Sequence, residues 1–173
     1  MKVVTAHPII DGVLDQHLAA LGDDLGAYHN HVYRCLNYHQ LLLGSPPPDT
    51  AALAWAVHDL GIWTADTFDY LSPSARLAAT HATEFGITNV DEVRAMITQH
   101  HKLRQTGNRM SDTFRVADLV DVSRGLLAAG IGRGRVTAIV DELPYLGFHA
   151  FLARGLTRYA VRHPTRPLPM LRW

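Results

Sequence analysis

The chain has one cysteine, Cys35, in 173 residues. An intramolecular disulfide is therefore excluded, and a reducing compartment is the simplest expectation. Neither charge is in excess, since 16 Lys+Arg stand against 16 Asp+Glu. That balance argues against a broad electrostatic footprint for nucleic acid. No apolar run approaches the length of a bilayer span, and the segment after Met1 lacks a long apolar stretch of the kind a secretion signal needs. The expectation is a cytoplasmic protein with no membrane partner. Alternating strand patterns and internal repeats are also missing, and a chain of this length can bury a core without staples.

What is present is helical periodicity from end to end, and an outlying count of 11 histidines. Apolar spacing predicts helices over residues 11–21, 28–43, 51–63, 72–85, 89–104, 111–130, 136–143 and 147–161. Gly and Pro mark most of the boundaries, and Asn89 with Glu92 looks like a capping box. The fold class is all-α: a single helical bundle with a metal-site core over 28–128, C-terminal helices over 133–163 and an extended tail over 164–173. The Gly130–Arg135 stretch has the glycines of a phosphate loop, but it follows a helix and lacks the Lys-Ser/Thr pair, so it reads as a connector. The proline-rich tail and Trp173 leave a homodimer contact open.

The chemistry centres on residues 51–63, AALAWAVHDLGIW, where an apolar helix delivers His58 and Asp59 side by side. An imidazole and a carboxylate are costly to desolvate together unless something pairs with them, and a divalent cation pairs with both. Taken alone, the dyad is more often a hydrogen-bonded core pair. Its company changes that balance: His31, His81, His100-His101 and Asp118 each lie in a segment with helical spacing. His100 shares the buried stripe of its helix, whereas His101 is turned about 100° away. Arg104, four residues after His100, falls on the same face, where it could hold an anion.

The order H…HD…H…HH…D over roughly His31 to Asp121 resembles the HD-domain superfamily of metal-dependent phosphohydrolases, specifically its two-metal branch. HDLG matches that family's HD-[IL]-G, His31 with Arg34 resembles its H-x-x-R, and Ala117-Asp118 resembles its last A-D. The resemblance implies one metal on His31, His58, Asp59 and Asp118, and a second on Asp59 as a bridge with His81 and His100. It prefers Asp118 to Asp121 as the ligand, leaving Asp121 as a supporting partner. One or two divalent ions of iron, manganese, cobalt, nickel or zinc suit such ligands. The implied activity is hydrolysis of a small phosphate ester, such as a nucleotide, by a metal-activated water, with Asp59, Arg104 and His101 in the catalytic machinery and Arg34 as a further phosphate contact. The same order is similar to the HD-type mixed-valent di-iron oxygenases, which cleave a C–C or C–P bond of a small anionic substrate. Where many family members carry Lys after HD-[IL]-G, this chain has Ile62, which points to a partly apolar pocket beside the metals. The non-enzyme alternative is a helical binding module that keeps its metal as a staple.

Overall fold

The computed structural model describes residues 2–171, and it is all-α, with no β-strand among the described residues. In chain order the helices are α1 (Pro8–Gln16), α2 (Leu18–Leu21), a 3-10 turn (Gly22–Asp24), α3 (Leu25–Leu43), α4 (Asp49–Val57), α5 (Gly61–Thr64), α6 (Leu71–Glu84), α7 (Val90–Gln99), α8 (Arg109–Val122), α9 (Arg133–Glu142) and α10 (Phe148–Arg162). No helix is long and apolar enough to cross a membrane.

The hub is α4. Every residue from Ala51 to Val57 is fully buried, as befits a helix that is apolar on all sides. It packs against α1, α3, α6 and α7. The indole of Trp55 stacks on Phe114 of α8 at 3.5 Å and 12°, and its Nε1 donates to Nδ1 of His39 at 3.1 Å. His39 lies in no motif, yet it is buried, and its Nε2 pairs with Thr113 Oγ1 at 2.9 Å. Burial pushes its pKa down to about 3.

Helix α3 is buried continuously from His31 to His39, so its polar side chains need internal partners. Asn37 accepts from the Val4 amide at 2.9 Å and donates to the Val4 carbonyl at 2.8 Å, which ties the N-terminal segment to the helix. The main neighbour of α3 is α8.

Three predicted helices stop early. Residues 51–63 break at a turn over 58–60. The helix begun at Val90 ends at Gln99, with His100 as its C-cap. The helix expected over 111–130 ends at Val122, because Arg124 and Gly125 take positive φ of 53° and 76°. Leu126 and Leu127 beyond it are exposed, so periodicity alone had overextended the pattern.

Within the tail, Met170 buries itself against Ile62, Tyr70 and Leu71, and Arg166 Nη1 lies 3.4 Å from Asp69 Oδ2. Trp173, and the dimer contact expected of it, lies outside the described residues.

Candidate metal centre

The break after Val57 makes the centre. His58 and Asp59 sit in the turn between α4 and α5, so both side chains leave the core helix toward one space. Gly61 fixes this turn. A Cβ there would lie 2.6 Å from the Tyr70 carbonyl oxygen and 2.8 Å from Ser74 Oγ, and the Gly61 amide donates to Ser74 Oγ at 3.0 Å. Only glycine allows that approach, which brings the 70–74 backbone against the turn.

Around the dyad, α3 supplies His31, the end of α7 supplies His100, and α8 supplies Asp118. All five of these residues are buried. His31 Nε2 lies 3.1 Å from His58 Nε2, 3.8 Å from Asp59 Oδ2 and 3.7 Å from Asp118 Oδ1. His58 Nε2 lies 3.5 Å from Asp59 Oδ2 and 4.0 Å from Asp118 Oδ1. Ligands held about 2.0–2.2 Å from one ion stand roughly 3.0–3.5 Å from each other. The observed separations are at or slightly beyond that range; His31, His58 and Asp118 form one group that could hold an ion, and His58, Asp59 and His100 form another.

The other ring nitrogens strengthen the fit. His58 Nδ1 donates to the Trp55 carbonyl at 2.9 Å, His100 Nδ1 to the Ile97 carbonyl at 2.7 Å, and His31 Nδ1 to Asp121 Oδ2 at 2.8 Å. Each of these Nδ1 atoms therefore carries the proton, and in a neutral ring Nε2 presents a lone pair. Burial pushes the His58 pKa down to about 3, despite the attraction of Asp59, so this ring stays neutral. Two further donors, Asp59 Oδ1 and His100 Nε2, are buried without a hydrogen-bond partner, 3.5 Å apart. Burial opposes a charge on His100, but the Asp59 and Asp118 carboxylates raise its pKa, so a proton or a bound cation between His100 and Asp59 satisfies both atoms.

Electrostatics divide the carboxylates. Burial pushes Asp118 up to about 6, against the pull of His100 and His31. Burial also opposes ionisation of Asp59, but His58 and His100 win and hold it below the ordinary carboxylate range. Asp121 is likewise held low, by hydrogen bonds from His31 and Arg34 that outweigh its burial. Its carboxylate takes Arg34 Nε at 2.6 Å and Nη2 at 2.9 Å, while Arg34 Nη1 donates to the Leu143 and Pro144 carbonyls at 3.0 and 3.1 Å. Asp121 thus orients His31 from behind, the arrangement that fixes the tautomer of a metal-binding imidazole. Cys35 Sγ lies 3.6 Å from the same His31 Nδ1, but burial pushes its thiol pKa well up and keeps it protonated.

Not every residue singled out in the sequence joins the centre. His81 Nε2 faces Nε2 of His17 at 3.0 Å and its Nδ1 faces Glu84 at 3.1 Å, and it supplies no atom to the converging groups. Arg104 is exposed beyond the end of α7, so the four-residue spacing that would put it beside His100 no longer applies. Arg34 is fully buried and committed to Asp121, which removes it as a phosphate contact. His101 is half-buried beside His100, ring centroids 3.9 Å apart, and its Nε2 lies 2.6 Å from the Tyr70 hydroxyl. Ile62 is buried against the tail, facing Met170 and Tyr70.

Sequence reasoning missed Tyr70 and Phe148. Phe148 opens α10 and stacks on the His31 ring at 4.1 Å and 19°, closing one side of the centre. Neither residue lies in a motif. Comparison of the chain with protein-family models, with curated proteins and with solved structures finds no match.

Proposed function

We propose that this protein is a metal-dependent hydrolase of a small phosphate ester, holding a divalent transition-metal ion on His31, His58, Asp59 and Asp118. The single observation that carries the reading is the approach of His31 Nε2 and His58 Nε2 to 3.1 Å with both Nδ1 protons committed elsewhere. His100 Nε2 and Asp59 Oδ1 are the ligand atoms left for a second ion.

A divalent cation in such a set supplies water activation and charge stabilisation at phosphoryl oxygens. The chain's own residues do the rest. Asp59 and Asp118 together offset the charge of one divalent ion, so attraction for an anionic substrate would come from a second ion at Asp59 and His100. Burial, then the Asp59 and Asp118 carboxylates, pushes the Tyr70 pKa well up, so its phenol keeps its proton and serves as a hydrogen-bond donor. Burial pushes His101 well below the ordinary histidine range, so at neutral pH it is an uncharged ring. Together Tyr70 and His101 would orient a phosphoryl oxygen or pass a proton to the leaving group. Phe148, Phe114 and Trp55 surround the imidazoles and exclude water from their flanks.

The test loads purified protein with manganese, iron, cobalt, nickel or zinc and offers nucleoside phosphates, sugar phosphates and aryl phosphates without oxygen. Phosphate release from at least one ester, lost in Asp59→Asn, is the expected result. Substrate-dependent oxygen uptake with no phosphate release from any ester would replace hydrolysis with the oxygenase reading.

A further inference from the structure

A second cavity, of about 700 Å³, lies between α5, the 66–68 loop and α10. None of the metal-centre residues lines it. Arg154, Arg158 and Arg162 line one side at successive four-residue steps of α10, which makes one row of guanidiniums about 12 Å long. Helix α10 carries no acidic residue. The arginines that form ion pairs among the described residues are Arg34, Arg94 and Arg166, so Arg154, Arg158 and Arg162 form none there. Asp66 is the one carboxylate lining the cavity. In a chain with no net charge, this is a local concentration of positive charge.

Beside that row the lining is aromatic. The rings of Trp63 and Phe151 are parallel, 5.0 Å apart and 6° from coplanar, and Phe68 meets Phe151 at 6.2 Å. Gly155 makes that floor: a Cβ there would run into the Phe68 ring, which rests directly on the α10 backbone beside the arginine row. Flat apolar surface beside a line of guanidiniums matches a ligand with an aromatic ring at one end and several phosphate oxygens at the other. The cavity volume is within the range of small-molecule sites.

We propose that this cavity binds a nucleoside polyphosphate, with the base against Phe68, Trp63 and Phe151 and the phosphates along Arg154, Arg158 and Arg162. The proposal is independent of the metal-centre reading. The site adjoins that centre through one aromatic layer, because Trp63 packs on Tyr28 at 4.9 Å and Tyr28 stacks on His58 at 6.3 Å.

The test is calorimetric titration of the full chain with ATP in the presence of chelator, alongside adenosine and tripolyphosphate. ATP is expected to bind more tightly than either fragment. Arg154→Gln with Arg158→Gln, both exposed positions, is expected to weaken ATP at least tenfold with helix content unchanged, and Asp59→Asn to leave it unchanged. Phe68→Leu is expected to weaken ATP but not tripolyphosphate. The proposal is overturned if wild-type protein fails to bind ATP in chelator, if the double arginine variant binds as wild type does, or if tripolyphosphate binds as tightly as ATP. Loss of binding in Asp59→Asn would also overturn it, by moving the ligand to the metal centre.

Discussion

His31 Nε2 and His58 Nε2 stand 3.1 Å apart across the centre, each turned toward the other by a hydrogen bond on the far side of its ring. Two lone pairs at that distance repel unless a proton or a cation lies between them. His58 is held neutral by burial, and its neighbours include two buried carboxylates. A cation relieves all of these at once.

The support behind His31 is directly testable. Asp121→Ala removes the acceptor of the His31 Nδ1 proton and leaves Arg34 buried without its counter-charge. Breaking a buried pair this way costs about 3–5 kcal/mol, and loss of an oriented imidazole lowers metal affinity roughly 10- to 100-fold. Chemical denaturation and metal titration of the variant measure the two effects separately. A variant as stable as wild type would contradict the arrangement.

His81 separates family order from geometry. In the two-metal branch its position supplies a ligand, whereas here its ring is engaged by His17 and Glu84. His81→Ala is therefore expected to lose about 1 kcal/mol of stability, the scale of one hydrogen bond, and to keep its metal content. Elemental analysis showing lost metal would restore the ligand role.

These residues show what the sequence could and could not disclose. That imidazoles and carboxylates from separate helices would be buried together was legible for His31, His58, Asp59, His100 and Asp118, because helical spacing tells which side chains face inward. Asp121 was read as close to Asp118, but its grip on both His31 and Arg34 depends on how α8 packs on α3. The burial of His39 was not legible because its partners, Trp55 and Thr113, come from other helices. Arg104 was misjudged because nothing in the local pattern marks the end of α7 at Gln99. Tyr70 and Phe148 were invisible for a similar reason: each reaches the centre through a connection, one held by the contact at Gly61 and the other opening α10.

His39 sets part of the acid limit of the fold. Its pKa of about 3 lies below the ordinary histidine value of 6.5, so between those values the unfolded chain binds a proton that the folded chain refuses. Stability then falls as pH drops through that window, by roughly 1.4 kcal/mol per pH unit where the difference is full. His39→Gln, which can still accept from Trp55, is expected to be less stable at pH 7.5 yet to lose less on going to pH 5. Urea midpoints at the two pH values, read with the metal chelated, decide this; equal slopes for both proteins would contradict it.

Metal affinity has its own acid limb. In the metal-free protein Asp118 titrates at about 6, raised by burial, and it must lose its proton to become a ligand. Affinity is therefore expected to be level above that value and to fall toward tenfold per pH unit below it. His58 remains unprotonated down to about 3 and does not add to this limb until then. Titrations at pH 5, 6 and 7 check the sign, and affinity that rises with acidity would contradict it.

The most direct test is the metal content of wild-type protein beside Asp59→Ala, purified identically and checked for retained helix content by circular dichroism. At least one equivalent of divalent transition metal in wild type and a small fraction of that in the variant is the result expected from a cation held between His31, His58, Asp59 and Asp118. Equal metal in the two proteins, or none in wild type even after incubation with excess metal, would contradict it.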